Sequence, residues 1–325
     1  MPSDPMLIYI LAASHSGSTL TAMLLNAHPD ICTAGELKAT NLGDPLAYRC
    51  SCHRLIGECG FWSEVAAEMG RRGLEYQVTR SGTSLRAIRS AYVRRLLAPL
   101  HRGLILELAR DCLLSVSPVW RHAFSDWKRQ NLALIQSIGS VTGSRYVADS
   151  SKIGIRLKYL NRIDGLRIKV LRVIRDGRGV CLTYMNPSDF ADAKDPGLRG
   201  GGVGAQAHPC LSMRDAATEW LRSNQEAERV LGTMPREDCL QIHYEALCEK
   251  TDVTMNKIHS FLGVRDDTSY RNFREIENHV VGNGMRLDSD SRIVLDERWR
   301  DQLNAAELAE FDAVAGKLNR SYGYR

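Results

Sequence analysis

Residues 9–25, YILAASHSGSTLTAMLL, place an apolar run directly before a glycine-centred turn and a second apolar run directly after it. The first run extends back to Met6 and contains β-branched and aromatic residues, which is typical of a buried strand in a parallel sheet. In the second run, Leu20, Leu24 and Leu25 recur at helical spacing. The feature predicts a strand, a turn and a helix in that order, the unit from which α/β folds are built.

The totals of the chain indicate a globular protein with a full hydrophobic core. Its 325 residues, 44% of them apolar, are enough for one large α/β domain or two smaller ones. The net charge of +5 suits small anionic ligands but is too small for a nucleic-acid-binding composition. The sequence has neither a membrane-length apolar run nor the features of a signal peptide. We therefore expect a cytoplasmic protein with no nucleic-acid partner and no stable membrane insertion.

Two further strand–helix units begin at residue 145. Residues 145–152, RYVADSSK, predict a strand and a loop before a helix at 153–163. Residues 168–176, IKVLRVIRD, predict a strand before a helix that begins at residue 177. Later helices are expected at 213–231, at 251–262 and after Asn304, with a strand at 238–244. The pattern predicts a P-loop-like three-layer α/β fold, in which a central parallel sheet of four or five strands is flanked by helices and binds its ligand at the carboxyl ends of the strands.

Two stretches fall outside these units. Residues 62–140 show mostly helical periodicity and predict a helical insertion or cap on a single domain that spans residues 1–325. Between residues 71 and 110 the chain has nine arginines and two glutamates, typical either of a solvated helical face or of a surface that attracts an acidic acceptor. Residues 187–210 are rich in glycine and proline and predict either a lid near a site or an ordinary surface loop.

The turn around Gly17 has the properties of an anion site. A strand that feeds a turn opening a helix leaves several backbone N–H groups unpaired near one point, where the helix dipole also favours negative charge. Ser16, Ser18 and Thr19 add hydroxyl donors. The alternative is an ordinary turn in which Ser18 caps the helix. The P-loop pattern GxxxxGK[ST] is absent because no lysine follows the glycine, which argues against an ordinary ATP or GTP enzyme.

The next strand end offers a second anion site. In residues 173–185, VIRDGRGVCLTYM, Arg175 ends the strand and Thr183 lies eight residues later, about two turns into the helix. A fixed guanidinium and a hydroxyl can together hold one phosphate. Two separate anion sites suit a nucleotide that is phosphorylated at both ends.

With these motifs the chain resembles the sulfotransferases that use 3′-phosphoadenosine 5′-phosphosulfate (PAPS). Their 5′-phosphosulfate loop commonly reads [RK]SGTT, similar to His15–Thr19, and their RDPR-like strand end with a serine eight residues after the first arginine is similar to Arg175 and Thr183. Residues 244–264 resemble their Tyr-Glu pair and the helix ending in FLG, and residues 279–299 resemble the segment that folds over the 3′-phosphate. The motif spacing is closest to the tyrosylprotein and carbohydrate branches.

The resemblance implies how the nucleotide is bound. PAPS is the implied co-substrate and 3′-phosphoadenosine 5′-phosphate (PAP) the product. Arg175, Thr183 and Arg298 would bind the 3′-phosphate, and Tyr244 would lie at the edge of the adenine. The full set of implied nucleotide-binding residues is Ser14, His15, Ser16, Gly17, Ser18, Thr19, Arg175, Thr183, Tyr244, Asn283, Met285, Arg286, Arg298 and Trp299.

The resemblance also implies three catalytic candidates. Glu36 follows an HPD…GE stretch and would take the proton of the acceptor; the alternative is a solvated carboxylate. His15 stands where the family has lysine or arginine, and would stabilise the departing 5′-phosphate or serve only as a structural residue. Lys152 lies in DSSK, where the family often has DKTP with lysine one residue after aspartate. Since Ser150 takes that position here, Lys152 either supplies the charge from two residues later or faces solvent.

A cluster of cysteines is the last feature of note. Cys50, Cys52, His53 and Cys59 fall within ten residues, in CSCHRLIGEC. Their C-x-C-H spacing is tighter than the usual C-x₂-C zinc knuckle. Zinc bound by these four residues is one alternative, but the spacing favours a disulfide or plain thiols, and we therefore expect no metal site.

Together these features predict a PAPS-dependent sulfotransferase that moves the sulfuryl group to a hydroxyl of an unidentified acceptor, in line, with a glutamate as general base. A carbohydrate, lipid, small molecule or peptide would fit as the acceptor. The alternatives are a P-loop kinase of a small molecule and a non-catalytic nucleotide-binding protein of the same fold. The sequence gives no indication of the oligomeric state.

Overall fold

The computed structural model describes residues 5–38, 46–85, 88, 90–97, 103–187, 210–282, 284–288 and 290–325. Five strands form one sheet: β1 (Met6–Ala12), β2 (Ile31–Thr33), β3 (Tyr146–Lys152), β4 (Ile168–Ile174) and β5 (Cys239–His243). Their order across the sheet is β2–β3–β1–β4–β5, and each neighbouring pair is parallel. The predicted α/β fold with a central parallel sheet is confirmed. The predicted loop at 187–210 lies almost entirely outside the described residues.

Helices connect the strands and cover the sheet. Before β3 they are α1 (Ser18–Asn26), α2 (Gly60–Arg71), α3 (Ala91–Leu96), α4 (Leu104–Ser115) and α5 (Pro118–Thr142). After β3 they are α6 (Gly154–Leu160), α7 (Gly177–Met185), α8 (Met213–Leu231), α9 (Tyr244–Glu249), α10 (Thr251–Leu262), α11 (Trp299–Gln302), α12 (Ala305–Phe311) and α13 (Lys317–Ser321). The predicted helices at 213–231 and 251–262 are confirmed as α8 and α10. In the described parts of the chain, no helix has both the length and the apolar character needed to cross a membrane.

The central strand β1 has helices on both faces of the sheet. Its alternate residues enter two separate apolar clusters: Leu7 and Tyr9 pack with residues of α2 and α5, whereas Ile8 and Ile10 pack with residues of α1 and α10. All four side chains are fully buried. A strand that is covered on both faces reads as one continuous apolar run, which is why the sequence predicts it.

The edge strand β2 was not predicted, because its three residues are too few to show a period. It pairs with the first half of β3, where Ile31 lies beside Tyr146 and Thr33 beside Ala148. The Thr33 hydroxyl donates to the Ala148 carbonyl oxygen at 3.1 Å. This short strand matters for the site because it directs the following residues, including Glu36, to the carboxyl edge of the sheet.

Candidate active site

Each strand of the sheet ends at a residue that the sequence singles out. In sheet order, Glu36 follows β2, Lys152 ends β3, the turn Ser14–Gly17 follows β1, Arg175 follows β4 and Tyr244 follows β5. Parallel strands have their carboxyl ends at one edge, about 4.8 Å apart. The structure therefore brings residues between 14 and 244 into one row along that edge, although they are far apart in the chain.

The turn after β1 leaves the start of α1 uncapped. Gly17 is the N-cap residue, with a φ of 85°. No side chain caps this helix start, and the first turn of the helix contains no acidic residue. The alternative of a helix capped by Ser18 is therefore wrong. Ser16 Oγ is buried and has no hydrogen-bond partner among the described residues. The dipole of α1, its first N–H groups and this hydroxyl form a site that favours an anion.

Contacts between side chains join this turn to the neighbouring strand ends. Arg175 Nη1 donates to the His15 carbonyl oxygen at 2.8 Å. The Arg175 guanidinium also stacks on the Tyr244 ring, 4.5 Å from its centroid. The same ring packs on Gly17, where an added Cβ would lie 2.5 Å from Tyr244 Cδ2. The two predicted anion sites are thus in contact through Arg175 and Tyr244.

His15 has an unusual backbone conformation. Its φ is 61°, in the left-handed region that β-carbon-bearing residues seldom adopt. Its ring meets the Tyr184 ring edge-on, with centroids 5.4 Å apart, and Ser14 is hydrogen-bonded to the Tyr184 hydroxyl. These contacts and the Arg175 bond hold His15 in the strained turn, as is common where a functional loop is shaped by its surroundings.

Asp296 bridges the two arginines that were assigned to the 3′-phosphate. Its Oδ2 lies 3.0 Å from Arg175 Nη2, and its Oδ1 accepts from Arg298 Nε at 2.8 Å. Burial on its own raises the pKa of Asp296, but the hydrogen bonds and charges of Arg298 and Arg175 outweigh it and lower the pKa to about 2. A carboxylate thus binds where the sequence predicts a phosphate.

Two further residues of the implied nucleotide-binding set, Thr183 and Trp299, lie on or beside α7. Thr183 is buried in α7, and its hydroxyl donates to the Gly179 carbonyl oxygen at 3.1 Å. Trp299 is buried next to Gly179, with the Arg178 guanidinium 4.0 Å from the ring centroid. Both stay predictions as nucleotide ligands.

Glu36 lies between two lysines. Its Oε1 is 2.6 Å from Lys152 Nζ and its Oε2 is 3.0 Å from Lys38 Nζ. Burial raises the pKa of Glu36, but the charges and hydrogen bonds of Lys152 and Lys38 outweigh it and lower the pKa to about 2. Lys152 has a φ of 72°, a strained conformation that places its side chain next to the carboxylate. Two of the three catalytic candidates are therefore in direct contact.

A buried ion pair, Asp149 with Arg156, holds the segments that carry Glu36 and Lys152. Asp149 accepts from Leu37 N at 3.1 Å and from Ser151 N at 2.8 Å, and its other oxygen is 3.1 Å from Arg156 Nε. Asp149 and Arg156 are almost fully buried. The pair therefore fixes the loop after β2 to the end of β3, so that Glu36 and Lys152 meet.

The segment implied to cover the nucleotide lies beside Glu36. The Val281 carbonyl oxygen accepts from Glu36 N at 2.9 Å. Arg286 is buried and donates to the Gly282 and Arg49 carbonyl oxygens, at 2.8 and 2.7 Å. Met285 is half-buried against the α1 side of the core, and Asn283 lies outside the described residues. The covering role of these residues stays a prediction.

Sequence reasoning missed several groups of this site. Lys38 is two residues from Glu36, and a lysine so close to a carboxylate in one loop could have indicated the ion pair between them. Asp296 and Asp149 gave no comparable signal, because an acidic residue next to arginine or serine is usual on a protein surface. Only the fold brings Asp296 to Arg175, 121 residues earlier in the chain.

The sheet, the uncapped helix after β1 and the charged groups at one edge are typical of α/β proteins that bind a ligand at the carboxyl ends of parallel strands. Neither a family model nor a curated protein matches the chain.

Solved structures similar to the chain come from the family that its motifs resemble. The sulfotransferase domain from the curacin biosynthetic pathway is 18% identical, with a TM-score of 0.49 and coverage of 99% of this chain and 98% of that one. The domain from the Synechococcus PCC 7002 olefin synthase is 15% identical, with a TM-score of 0.47 and coverage of 99% and 96%. Mouse sulfotransferase SULT7A1, complexed with PAP, is 12% identical, with a TM-score of 0.43 and coverage of 99% and 89%. Such distant similarity decides no activity, which depends on the residues of this chain.

Proposed function

We propose that this chain is a PAPS-dependent sulfotransferase, which moves the sulfuryl group of PAPS to a hydroxyl of an acceptor and releases PAP. The observation that carries the proposal is the uncapped N-terminus of α1, where Ser16 Oγ is buried and has no partner among the described residues. Arg175 is joined to the same turn by a 2.8 Å hydrogen bond to the His15 carbonyl oxygen. Two adjacent anion sites fit a nucleotide with phosphate at both its 5′ and 3′ positions.

The turn Ser14–Thr19 would hold the 5′-phosphosulfate. The first N–H groups of α1 and the Ser16, Ser18 and Thr19 side chains supply donors, and the helix dipole adds a favourable field. Since no lysine follows Gly17, the turn lacks the group with which P-loop kinases bind the β- and γ-phosphates. This difference favours the sulfotransferase over the kinase.

Arg175 and Arg298 would hold the 3′-phosphate. Both now bind Asp296, so the carboxylate has to give way before a phosphate can bind both guanidiniums. A phosphate carries more negative charge and more acceptor oxygens than a carboxylate, and it can therefore displace Asp296. Tyr244, which supports Arg175 through its ring, would lie at the adenine end of the nucleotide.

Glu36 and Lys152 would carry the chemistry. The acceptor oxygen forms a bond to sulfur while the bond from sulfur to the bridging phosphate oxygen breaks. The acceptor proton passes to Glu36, and the electron pair of the broken bond leaves with PAP. Lys152 and His15 would stabilise the negative charge that develops on the leaving oxygen.

The contact between Lys152 and Glu36 couples these two roles. A carboxylate with a pKa of about 2 is a weak base, and Lys152 and Lys38 are the groups that keep the pKa of Glu36 low. When Lys152 turns to the phosphosulfate, Glu36 loses one of its two cations and its pKa rises. Binding of the donor would thereby produce the base that the acceptor needs.

The acceptor would bind near β2 and β3, since Glu36 lies at that end of the row. A hydroxyl of a carbohydrate, lipid, small molecule or peptide meets the chemical requirement.

We further propose that residues 1–325 form one domain in which the 62–140 region is an insertion, because α2 and α5 share an apolar cluster with β1. A cytoplasmic location is proposed because none of the nine cysteines, all of which lie in the described ranges, forms a disulfide.

The test is transfer of labelled sulfate from PAPS to molecules of a cell extract, followed by mass spectrometry for products heavier by one sulfo group. The wild-type chain is expected to label at least one product, and Glu36→Gln is expected to label none above background. Glu249→Gln, at an exposed glutamate, is the matched control and should behave as wild type. Equal labelling by the wild type and Glu36→Gln would contradict the proposed base. No labelling by the wild type, with PAP still bound, would favour the non-catalytic alternative.

A further inference from the structure

Three cysteines and one histidine meet away from the carboxyl edge of the sheet. Cys50, Cys52 and Cys59 come from one loop and His279 from a segment more than two hundred residues later. Their sulfur and nitrogen atoms all lie within 4.8 Å of one another. Cys59 Sγ is 3.7 Å from Cys52 Sγ and 3.4 Å from His279 Nδ1, and Cys50 Sγ is 3.8 Å from the same nitrogen.

These distances fit a tetrahedral metal centre. With zinc–sulfur bonds of about 2.3 Å and a zinc–nitrogen bond of about 2.0 Å, neighbouring sulfurs lie about 3.8 Å apart and sulfur and nitrogen about 3.5 Å apart. A disulfide between Cys52 and Cys59 would need the two sulfurs at about 2.05 Å. We propose that Cys50, Cys52, Cys59 and His279 bind one structural zinc ion.

The expectation of no metal site rested on the wrong histidine. His53 is exposed and is not part of the cluster. The narrow C-x-C spacing is accommodated because a tight hairpin brings the two cysteines together: Cys50 N donates to the Arg54 carbonyl oxygen and His53 N to the Cys50 carbonyl oxygen, both at 2.9 Å. The fourth ligand comes from a distant part of the chain, so no local spacing rule could find it.

The groups around the cluster have the arrangement that metal ligands require. His279 has Nδ1 towards the sulfurs, and its Nε2 lies 3.5 Å from a Glu277 carboxylate oxygen, the kind of outer partner that orients a metal-binding imidazole. The Phe61 ring stacks on the histidine with centroids 4.5 Å apart and 5° between the planes, which fixes its orientation. Backbone N–H groups of Cys52, Arg54 and Trp62 donate to the cysteine sulfurs.

The cluster has a route to solvent. Cys52, Cys59 and His279 line a cavity of about 530 Å³ together with residues from the C-terminal ends of α1 and α5. The cavity does not include Gly17, Glu36 or Arg175, so it is separate from the proposed nucleotide site. An ion can enter through this cavity and, once bound by four protein ligands, has no open position for chemistry.

Zinc would join two segments that support Glu36. Ser51, between two of the cysteines, donates to the Asn278 carbonyl oxygen at 2.6 Å and accepts from Val280 N at 2.7 Å. The next residue, Val281, accepts from Glu36 N at 2.9 Å. The proposed ion therefore stabilises the segment that positions the proposed base, which makes its role structural.

The test measures zinc in purified proteins made with zinc in the medium. The wild-type chain is expected to hold about one zinc per chain, and Cys52→Ser and His279→Ala less than about a tenth of that. His53→Ala, at the histidine next to the cysteines in sequence, and Cys112→Ser, at an exposed cysteine, are the matched controls and should hold as much as the wild type. Retention by His279→Ala with loss in His53→Ala would overturn the ligand set.

A second measurement uses only the wild type and so does not depend on the folding of a variant. A strong chelator is expected to lower the melting temperature, and added Zn²⁺ to restore it, because the ion binds the folded chain and not the unfolded one. Co²⁺ added to the stripped protein should give the intense visible absorption of tetrahedral cobalt thiolate. Wild-type protein that holds no zinc and takes up no Co²⁺, or that contains a Cys52–Cys59 disulfide instead, overturns the proposal.

Discussion

At the scale of single residues, the site depends on carboxylates held between two cations. Glu36 has Lys152 and Lys38, and Asp296 has Arg175 and Arg298. Each carboxylate stays ionised far below its usual pKa, because its cationic partners outweigh the cost of burial. Such a carboxylate contributes to stability at neutral pH. It can also be replaced on its cations by a phosphate or sulfate, since either anion can bind the same side chains.

Glu36 gives a prediction for acid stability. Its pKa falls from an ordinary value of 4.5 when unfolded to about 2 when folded, which corresponds to about 3 kcal/mol of stability. This contribution is fully present above pH 4.5 and is lost as the pH falls through the folded pKa. Urea unfolding should therefore show Glu36→Gln less stable than wild type at about pH 7, with the gap closing towards pH 2. Glu249→Gln should show no such gap, and a gap that stays constant with pH would contradict the assignment.

Asp296 gives a prediction for affinity. If this carboxylate competes with the 3′-phosphate for Arg175 and Arg298, then Asp296→Asn should bind PAP about three- to tenfold more tightly than the wild type, a gain of about 1 kcal/mol. Asp301→Asn, at an exposed aspartate on α11, is the control and should bind as the wild type does. Calorimetric titration measures the difference. Unchanged or weaker binding by Asp296→Asn would show that the carboxylate orients the arginines and does not compete for them.

At the scale of elements, the contrast between two helix starts is informative. The side chain of Asp176, the N-cap residue of α7, accepts from Arg178 N, so this helix start is satisfied by the protein itself. The N-cap of α1 is Gly17, which has no side chain. The two helices follow neighbouring strands at the same edge, and α1 is the one left to bind an external anion.

Gly17→Ala tests this helix start. The change introduces a Cβ at a φ of 85° and 2.5 Å from Tyr244 Cδ2, so the ring and the turn have to move apart. We expect a loss of about 1 to 3 kcal/mol in unfolding free energy and a large loss of PAP affinity. Gly73→Ala is the matched control: its φ is 75°, but no described atom beyond Gly73 and its two chain neighbours lies within 4 Å of the added Cβ. If both variants keep wild-type PAP binding, the close contact between Gly17 and Tyr244 has no role in the site.

Long apolar or amphipathic elements were predictable from the sequence, and short ones were not. The strand β4 and the helix α8 match the predicted 168–176 and 213–231 closely, because burial gives each a clear pattern. The three-residue strand β2 was missed. The helix predicted at 153–163 is limited to Gly154–Leu160, since the pattern does not mark where the chain turns towards β4.

At the scale of the whole molecule, the sheet order decides which predicted residues meet. A local motif identifies Gly17 or Arg175, but the parallel order β3–β1–β4 is what makes them neighbours. Contacts between residues far apart in the chain were beyond the sequence for the same reason. Asp296 reaches Arg175, and His279 reaches the cysteines, only because the C-terminal segment folds back onto earlier parts of the chain.

Calorimetric titration of the wild-type chain with PAP tests the proposed nucleotide site most directly. We expect one PAP site in the wild type and at least about a hundredfold weaker binding in Arg175→Ala, where a buried charged hydrogen-bond donor is lost. The exposed control Arg271→Ala should bind as the wild type does. ATP with Mg²⁺ should bind far more weakly than PAP. No heat with PAP, or equal PAP binding by the wild type and Arg175→Ala, would contradict the claim that the edge around Gly17 and Arg175 is a nucleotide site.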